Sequence, residues 1–422
     1  MKVLGIVAEY NPFHNGHSYH LQESLRQTQA DYAVCVMSGH FLQRGEPALL
    51  DKWARTQMAL KAGIDLVIEL PFAYAVRSAQ DFAFGALTIL EATGVVDYLS
   101  FGSELGELDK LQNLARILVK EPPELGILIR KELASGCPYP QAQARALQTL
   151  FPNFSEEIWQ PNNILALEYL KALIQLESQI QPVTIKRKQV QYHDLEISEN
   201  FASATGIREL IKKGKTRDLS FSETLEPIRP VVPESTLALL TEEFTLGKGP
   251  IFLEDFSQII LSSLRKSTPE EIAKYPDVIE GLEQRIKKKA HQATDLENLL
   301  VEIKTKRYTR TRIQRILIHH LLGFSSDLAL LFKKAGGPQY LRILGVSSKG
   351  MNLLKEIRQK STLPLIQKVT SYKKEKSSYS PALEKMLKLD FLASDLYCLA
   401  YPSHQYRKGG RDFYCSMSIY RN

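Results

Sequence analysis

The chain has 422 residues, beyond the size at which one hydrophobic core usually splits, so two or three domains are expected. Hydrophobic residues make up 44% and charged residues 24%, which excludes a disordered chain, and no apolar run reaches the roughly 20 residues of a membrane span. The net charge of +7 is uneven: residues 1–210 carry 18 Lys and Arg against 24 Asp and Glu, residues 211–422 carry 36 against 23, and only the second half suits a polyanionic partner.

Lys2–Glu9 is near-continuously apolar, as a buried parallel strand is, and it passes into polar residues with no cleavage site, so it reads as a first strand and not a signal peptide. A polar turn at Asn11–His17 leads into a helix from about Ser18 to Thr28. Tyr32–Met37 is the second strand. Asp51 is placed to cap a helix running to Ala62 and closed by Gly63. Asp65–Leu70 is the third strand, stopped by Pro71; a helix spans about Ala79–Thr93, and Tyr98–Phe101 is the fourth strand. A helical insertion occupies about 106–180, Val183–Tyr192 is the fifth strand, and Ser203–Lys213 is the helix after it. This alternation predicts an α/β domain over 1–215, a doubly wound parallel sheet wrapped by helices. From 214 the texture changes. Pro227, Pro230 and Pro233 mark a linker, 216–365 reads as a mainly helical basic region, and Lys373–Ser380 falls in a separate C-terminal segment, 366–422. Cys35, Cys137, Cys398 and Cys415 are scattered without a CxxC pair, which argues against structural zinc or a disulfide framework and fits a reducing cytoplasm.

The sharpest chemical signal is His14-Asn15-Gly16-His17, in the loop between the first strand and the first helix. Two imidazoles three residues apart can both point into the mouth of that turn. Gly16 lacks the Cβ that would hinder a phosphate, and the helix behind offers free N–H groups and a partial positive charge. Histidines so placed stabilise charge developing on phosphate and do not act as nucleophiles. Late in the domain, Ser203 or Thr205 can cap a helix and reach phosphate, while Arg208 can neutralise departing pyrophosphate. The two motifs bracket the sheet in the order a doubly wound nucleotide site requires.

HNGH after a first strand resembles the HxGH signature of the nucleotidyltransferase superfamily, whose sheet is Rossmann-like, and Ser203-Ala204-Thr205-Gly206-Ile207-Arg208 resembles its second phosphate motif. More narrowly, VAEYNPFHNGH, MSGHFLQRGEPA, KWARTQMAL, DLVIELP, FGSE, PNNILALEY and KTKRYTRTRIQR together, in this order, look like the bacterial tRNA(Met) cytidine acetate ligase family. The likeness covers most of the first 210 residues and part of the basic half, and loosens after about 360. It implies that ATP and acetate form acetyl-adenylate, whose acetyl group passes to N4 of the wobble cytidine of elongator tRNA(Met), giving N4-acetylcytidine. It further implies an ATP segment at Val7-Ala8-Glu9-Tyr10-Asn11-Pro12-Phe13-His14-Asn15-Gly16-His17-Ser18-Tyr19-His20, and nucleotide contacts at Gly102, Asn162, Arg187 and Lys188. Asn163 is an equally placed alternative to Asn162.

Ser38–Gly45 leaves the second strand on the same edge of the sheet, and its His40, Gln43 and Arg44 suit an anionic substrate or a flipped base. In the basic half, Lys304, Lys306, Arg307, Arg310, Arg312 and Arg315 crowd into twelve residues. Helical spacing could put most of them on one face, along a phosphate backbone, with Lys287–Lys289 extending it. Mg²⁺ is expected on the ATP phosphates, mostly water-coordinated. Nothing resembles a Walker-type loop or an acetyl-coenzyme A domain, so neither zinc nor acetyl-coenzyme A is expected. The competing readings are an adenylyltransferase acting on a phosphorylated cofactor precursor, which leaves the basic half unexplained, and a non-catalytic RNA-binding protein, which leaves the intact HNGH unexplained.

Overall fold

The computed structural model describes residues 1–137, 139–151, 156–187, 201–279, 281–372 and 380–421. Lys188 and most of the stretch 373–380 lie outside them. The apolar runs form five parallel strands: β1 (Val3–Ala8), β2 (Tyr32–Ser38), β3 (Leu66–Leu70), β4 (Tyr98–Ser103) and β5 (Gln181–Lys186). β5 is described to Lys186, and the expected continuation to Tyr192 falls within residues 188–200, which lie outside the described set.

Around these strands run α1 (Asn15–Thr28), α2 (Lys52–Lys61), α3 (Phe72–Ala75) and α4 (Ala79–Ala92). Asp51 caps α2 as expected, its Oδ1 accepting from the Ala54 N–H at 2.9 Å. Helices Leu108–Lys120, Pro123–Ala134, Tyr139–Leu150 and Pro161–Gln175 fill the stretch between β4 and β5. The strand order is β5-β4-β1-β2-β3, so the chain first builds outward from β1 on one side and then returns to build on the other. The connections therefore diverge between β1 and β4, at the carboxyl ends, and leave a crevice there.

The texture after 214 predicts helices to about 360, yet Leu341–Ser347 is a buried strand, β6, antiparallel to β3. Two glycines allow it to sit so close. A Cβ at Gly345 would lie 2.5 Å from Thr56 Cγ2, and one at Gly350 2.1 Å from the Asp65 carbonyl oxygen. β7 (Leu365–Ile366) and β8 (Ser418–Tyr420) both pair with β6, so the sheet is mixed and has eight strands among the described residues. A buried ion cluster pins this edge: Lys52 Nζ lies 2.8 Å from both Glu69 Oε1 and Asp412 Oδ1, and Arg342 reaches Glu69 at 3.2 Å and Asp412 at 2.6 Å.

The prolines at 227–233 are not a free linker either. Glu226–Val231 is a 3₁₀ turn with Ile228 and Val231 buried, and Asn15 Nδ2 donates to the Pro230 carbonyl at 3.0 Å. Helix Pro381–Cys398 packs on α3, where the Phe72 N–H donates to Asp390 Oδ1 at 2.8 Å. Among the described residues no single helix is long and apolar enough to cross a membrane.

Candidate active site

β1 delivers the chain into a turn in which Tyr10 takes a positive φ of 47° and His14 becomes the N-cap of α1. His14 Nδ1 accepts from the Gly16 N–H at 3.0 Å, and His17 Nδ1 accepts from the His14 N–H at 3.3 Å. The two imidazoles stack at 3.8 Å between centroids, with Tyr10 and Phe13 packed behind His17. A Cβ at Gly16 would sit 2.8 Å from His14 Cε1, so this glycine makes room first for the capping imidazole. Burial, followed by the charges of Arg187 and Arg208, lowers the His14 pKa to about 3. Burial, then His14 and Arg187, holds His17 well below the usual histidine range, and burial with Arg187 takes His20 to about 4. Both stacked rings are therefore neutral at pH 7. Because each Nδ1 is an acceptor, the proton is on Nε2, and each ring is a preset Nε2–H donor.

These rings line a cleft of about 380 Å³ at the β1–β4 crevice, within the size range of small-ligand sites. Val7 and Ala8 come from β1, Phe101 and Gly102 from β4, Ile185 and Lys186 from β5, and Arg187 follows directly. Helix Pro161–Gln175 adds Asn162, Leu165 and Tyr169, helix Ala204–Thr216 adds Arg208, and the loop after β2 adds Gln43 and Arg44. Four cations thus ring the cleft. Neither α1 nor helix Ala204–Thr216 carries an acidic residue in its first turn, so both positive helix ends stay uncompensated beside it. The arrangement suits a polyphosphate.

Residues 1–412 match the family model described as HIGH Nucleotidyl Transferase. The chain is 46% identical over 416 residues, 98% of each chain, to an Acetivibrio thermocellus protein named tRNA(Met) cytidine acetate ligase. It is 44% identical to one of the same name from Halothermothrix orenii, again over 98% of each. A crystal structure of Thermotoga maritima TmcAL bound with alpha-thio ATP superposes over 100% of both chains at 36% identity and a TM-score of 0.92. The chain belongs to the tRNA(Met) cytidine acetate ligase family.

The residues expected from the family likeness fall unequally about the cleft. Asn162 and not Asn163 faces it: Asn162 Oδ1 accepts from Arg187 Nη1 at 3.2 Å, whereas Asn163 is buried, its Oδ1 accepting from the Leu105 N–H at 3.2 Å. Gly102 underlies the Arg187 side chain, whose Cγ would meet a Cβ there at 3.4 Å. Arg208 donates to the Asn11 carbonyl at 3.1 Å and to Glu46 at 3.2 Å. Ser203 and Thr205 stand a step behind. The Ser203 hydroxyl caps the helix by accepting from the Gly206 N–H at 3.0 Å, and Thr205 Oγ1 lies 3.5 Å from Arg208.

In the loop after β2 the expectation for His40 fails: it is buried against Trp53 and Tyr397, its Nδ1 3.3 Å from the Ser394 hydroxyl, and only Gln43 and Arg44 reach the cleft. The basic stretch of the family is also not one cationic face. Lys304–Thr309 is a loop with Lys304, Lys306 and Arg307 exposed, and the helix starts at Arg310. Arg310 pairs with Glu297, Arg312 donates to the Asp277 carbonyl at 2.7 Å, and Arg315 is largely buried. What this helix touches is the rim of the site: a Cβ at Gly45 would lie 2.3 Å from the Arg315 backbone nitrogen.

Reasoning from sequence missed Phe82, Phe101, Leu165, Tyr169 and Lys186 as cleft residues. A signal existed for part of this set, since Asn162, Leu165 and Tyr169 share one helix face at i, i+3 and i+7.

Proposed function

We propose that the enzyme activates acetate with ATP as acetyl-adenylate and transfers the acetyl group to N4 of the wobble cytidine of elongator tRNA(Met). The observation that carries this reading is the pair of preset Nε2–H donors, His14 and His17, set beside two uncompensated helix N-termini in a cleft ringed by cations. An acetate oxygen attacks the α-phosphorus and pyrophosphate leaves. His14 and His17 donate to oxygens whose charge grows in that transition state, and Arg208, Lys186 and Arg187 offset the charge on the phosphates. The helix ends supply the same field before any nucleotide arrives. Among the described residues no three His, Cys, Asp or Glu side chains gather as a metal cage, so Mg²⁺ would be carried by phosphate oxygens and water and would neutralise part of the triphosphate charge.

The test is to incubate enzyme, ATP, Mg²⁺ and tRNA with either labelled acetate or labelled acetyl-coenzyme A, then digest the tRNA and measure N4-acetylcytidine. Label is expected from acetate. Label arriving only from the thioester removes the ligase mechanism, and pyrophosphate exchange only with a phosphorylated cofactor precursor makes the enzyme an adenylyltransferase.

The tRNA is held, on this reading, by the exposed loop Lys304–Arg307 ahead of the helix that seats against Gly45 at the cleft rim. Replacing Lys304, Lys306 and Arg307 with Ala should weaken tRNA binding and reduce the slope of log affinity against log salt by about 2, as fewer counterions are released. Acetate-dependent exchange measured without tRNA should change far less. A parallel fall in both would make this loop a structural element.

A further inference from the structure

The cleft that suits a polyphosphate also contains a carboxylate. Glu9, on the loop leaving β1, is the one acidic side chain among the described cleft residues, beside Arg44, Lys186, Arg187 and Arg208. Its Oε1 accepts from the Gln43 N–H at 2.8 Å, and Oε2 receives no hydrogen bond from the described residues. A carboxylate is a poor neighbour for ATP, so its place there calls for another task.

Acyl transfer to a cytosine amine supplies one. The N4 lone pair attacks the acetyl carbon and the N–C bond forms. The C–O bond to AMP breaks with its electrons going to the phosphate, and N4 must shed one proton. His14 and His17 cannot take it. His14 Nδ1 and His17 Nδ1 are occupied as acceptors, so their Nε2 atoms already carry protons, and His20 Nε2 is engaged with the Ser100 hydroxyl at 3.1 Å. We propose that Glu9 is the general base of the transfer half-reaction, taking the N4 proton on Oε2 while the Gln43 N–H fixes the carboxylate. This inference rests on the acetyl-transfer reading above.

Burial pushes the Glu9 carboxyl above the usual glutamate range. The Gln43 hydrogen bond and the charges of Arg208 and Arg44 offset part of that rise, and Glu46 adds to it. Arg55 and Tyr169 also face Glu9, from α2 and helix Pro161–Gln175. A base with a raised pKa is closer to matching a proton shed near neutral pH, and such catalysis typically contributes about 10²–10⁴-fold.

The experiment is single-turnover transfer from preformed acetyl-adenylate to tRNA, from pH 5 to 8.5, for the wild type and Glu9→Gln. The amide keeps an oxygen to accept from Gln43. The wild-type rate should fall on the acid side with a midpoint above 4.5, as the base becomes protonated. Glu9→Gln should be at least about 100-fold slower, with that acid limb gone. Acetate-dependent pyrophosphate exchange, run in parallel, should fall by a much smaller factor. A Glu9→Gln enzyme that transfers at the wild-type rate, or keeps the limb, overturns the assignment. Should Glu9→Gln not fold, a wild-type rate flat from pH 5 to 8 overturns it alone. Absence of acetate-dependent exchange in the wild type would instead overturn the ligase reading itself.

Discussion

His17→Ala is expected to lower acetate-dependent ATP–pyrophosphate exchange by about 10²–10³-fold while ATP binds within a few-fold of wild type. Removing one preorganised donor from a site of developing charge typically costs that much in rate. The ground state should lose less, because Arg187, Arg208, Lys186 and two helix ends remain in the cleft to offset the triphosphate charge. His14→Ala should do the same and also destabilise α1 by about 1 kcal/mol, since its Nδ1 caps the helix at Gly16. Exchange kinetics and calorimetric titration of ATP measure the two effects separately. Wild-type exchange in either variant ends the donor mechanism, and so does a loss of ATP affinity as large as the loss of rate. The His14–His17 stack at 3.8 Å further predicts that the double variant loses less than the product of the single losses.

Much of the candidate site was legible because the residues that shape it are local. HNGH follows a buried strand and Ser203 opens a helix, so both could be placed from neighbours within a turn. Asp51 likewise caps α2 where a capping residue belongs. What could not be read is whatever depends on a distant partner. Leu341–Ser347 is a seven-residue apolar run interrupted by Arg342, and periodicity alone does not separate such a run from a helix segment. It is a strand because it pairs antiparallel with β3, where Glu69 and Asp412 satisfy its buried guanidinium. His40 misled for the converse reason. It shares a loop with Gln43 and Arg44, which reach the cleft, but the ring is enclosed by Trp53 and Tyr397, from α2 and helix Pro381–Cys398. Tyr169 and Leu165 look like core residues in sequence and line the cleft because their helix packs on β4, α4 and helix Leu108–Lys120 with that face toward it.

Arg55→Leu should lower global stability by at least about 3 kcal/mol and reduce exchange at least tenfold in the protein that remains folded. The side chain has no solvent exposure and is surrounded by carbonyl oxygens. Nε donates to Leu50 at 3.1 Å, Nη1 to Glu9 at 2.6 Å and Ser38 at 3.1 Å, and Nη2 to Gly39. One guanidinium thus ties together the loops leaving β1 and β2 and the residue before the Asp51 cap. Leucine fills some of the volume but leaves four buried acceptors without a donor, each costing about 1–3 kcal/mol before relaxation. Arg55→Lys should recover only a fraction, because a single ammonium lacks the planar fork that reaches all four. Exchange should fall with stability because the Glu9 carbonyl is one of the four, and the His14 turn follows directly from it. A shift of about 1 Å at a reacting group can cost 10²-fold. Urea unfolding gives the stability change, and exchange assayed well below the unfolding transition gives the catalytic one. Full exchange activity alongside a large loss of stability would show that Arg55 supports the fold without positioning the site. A variant as stable as wild type would mean that the four carbonyls find other donors.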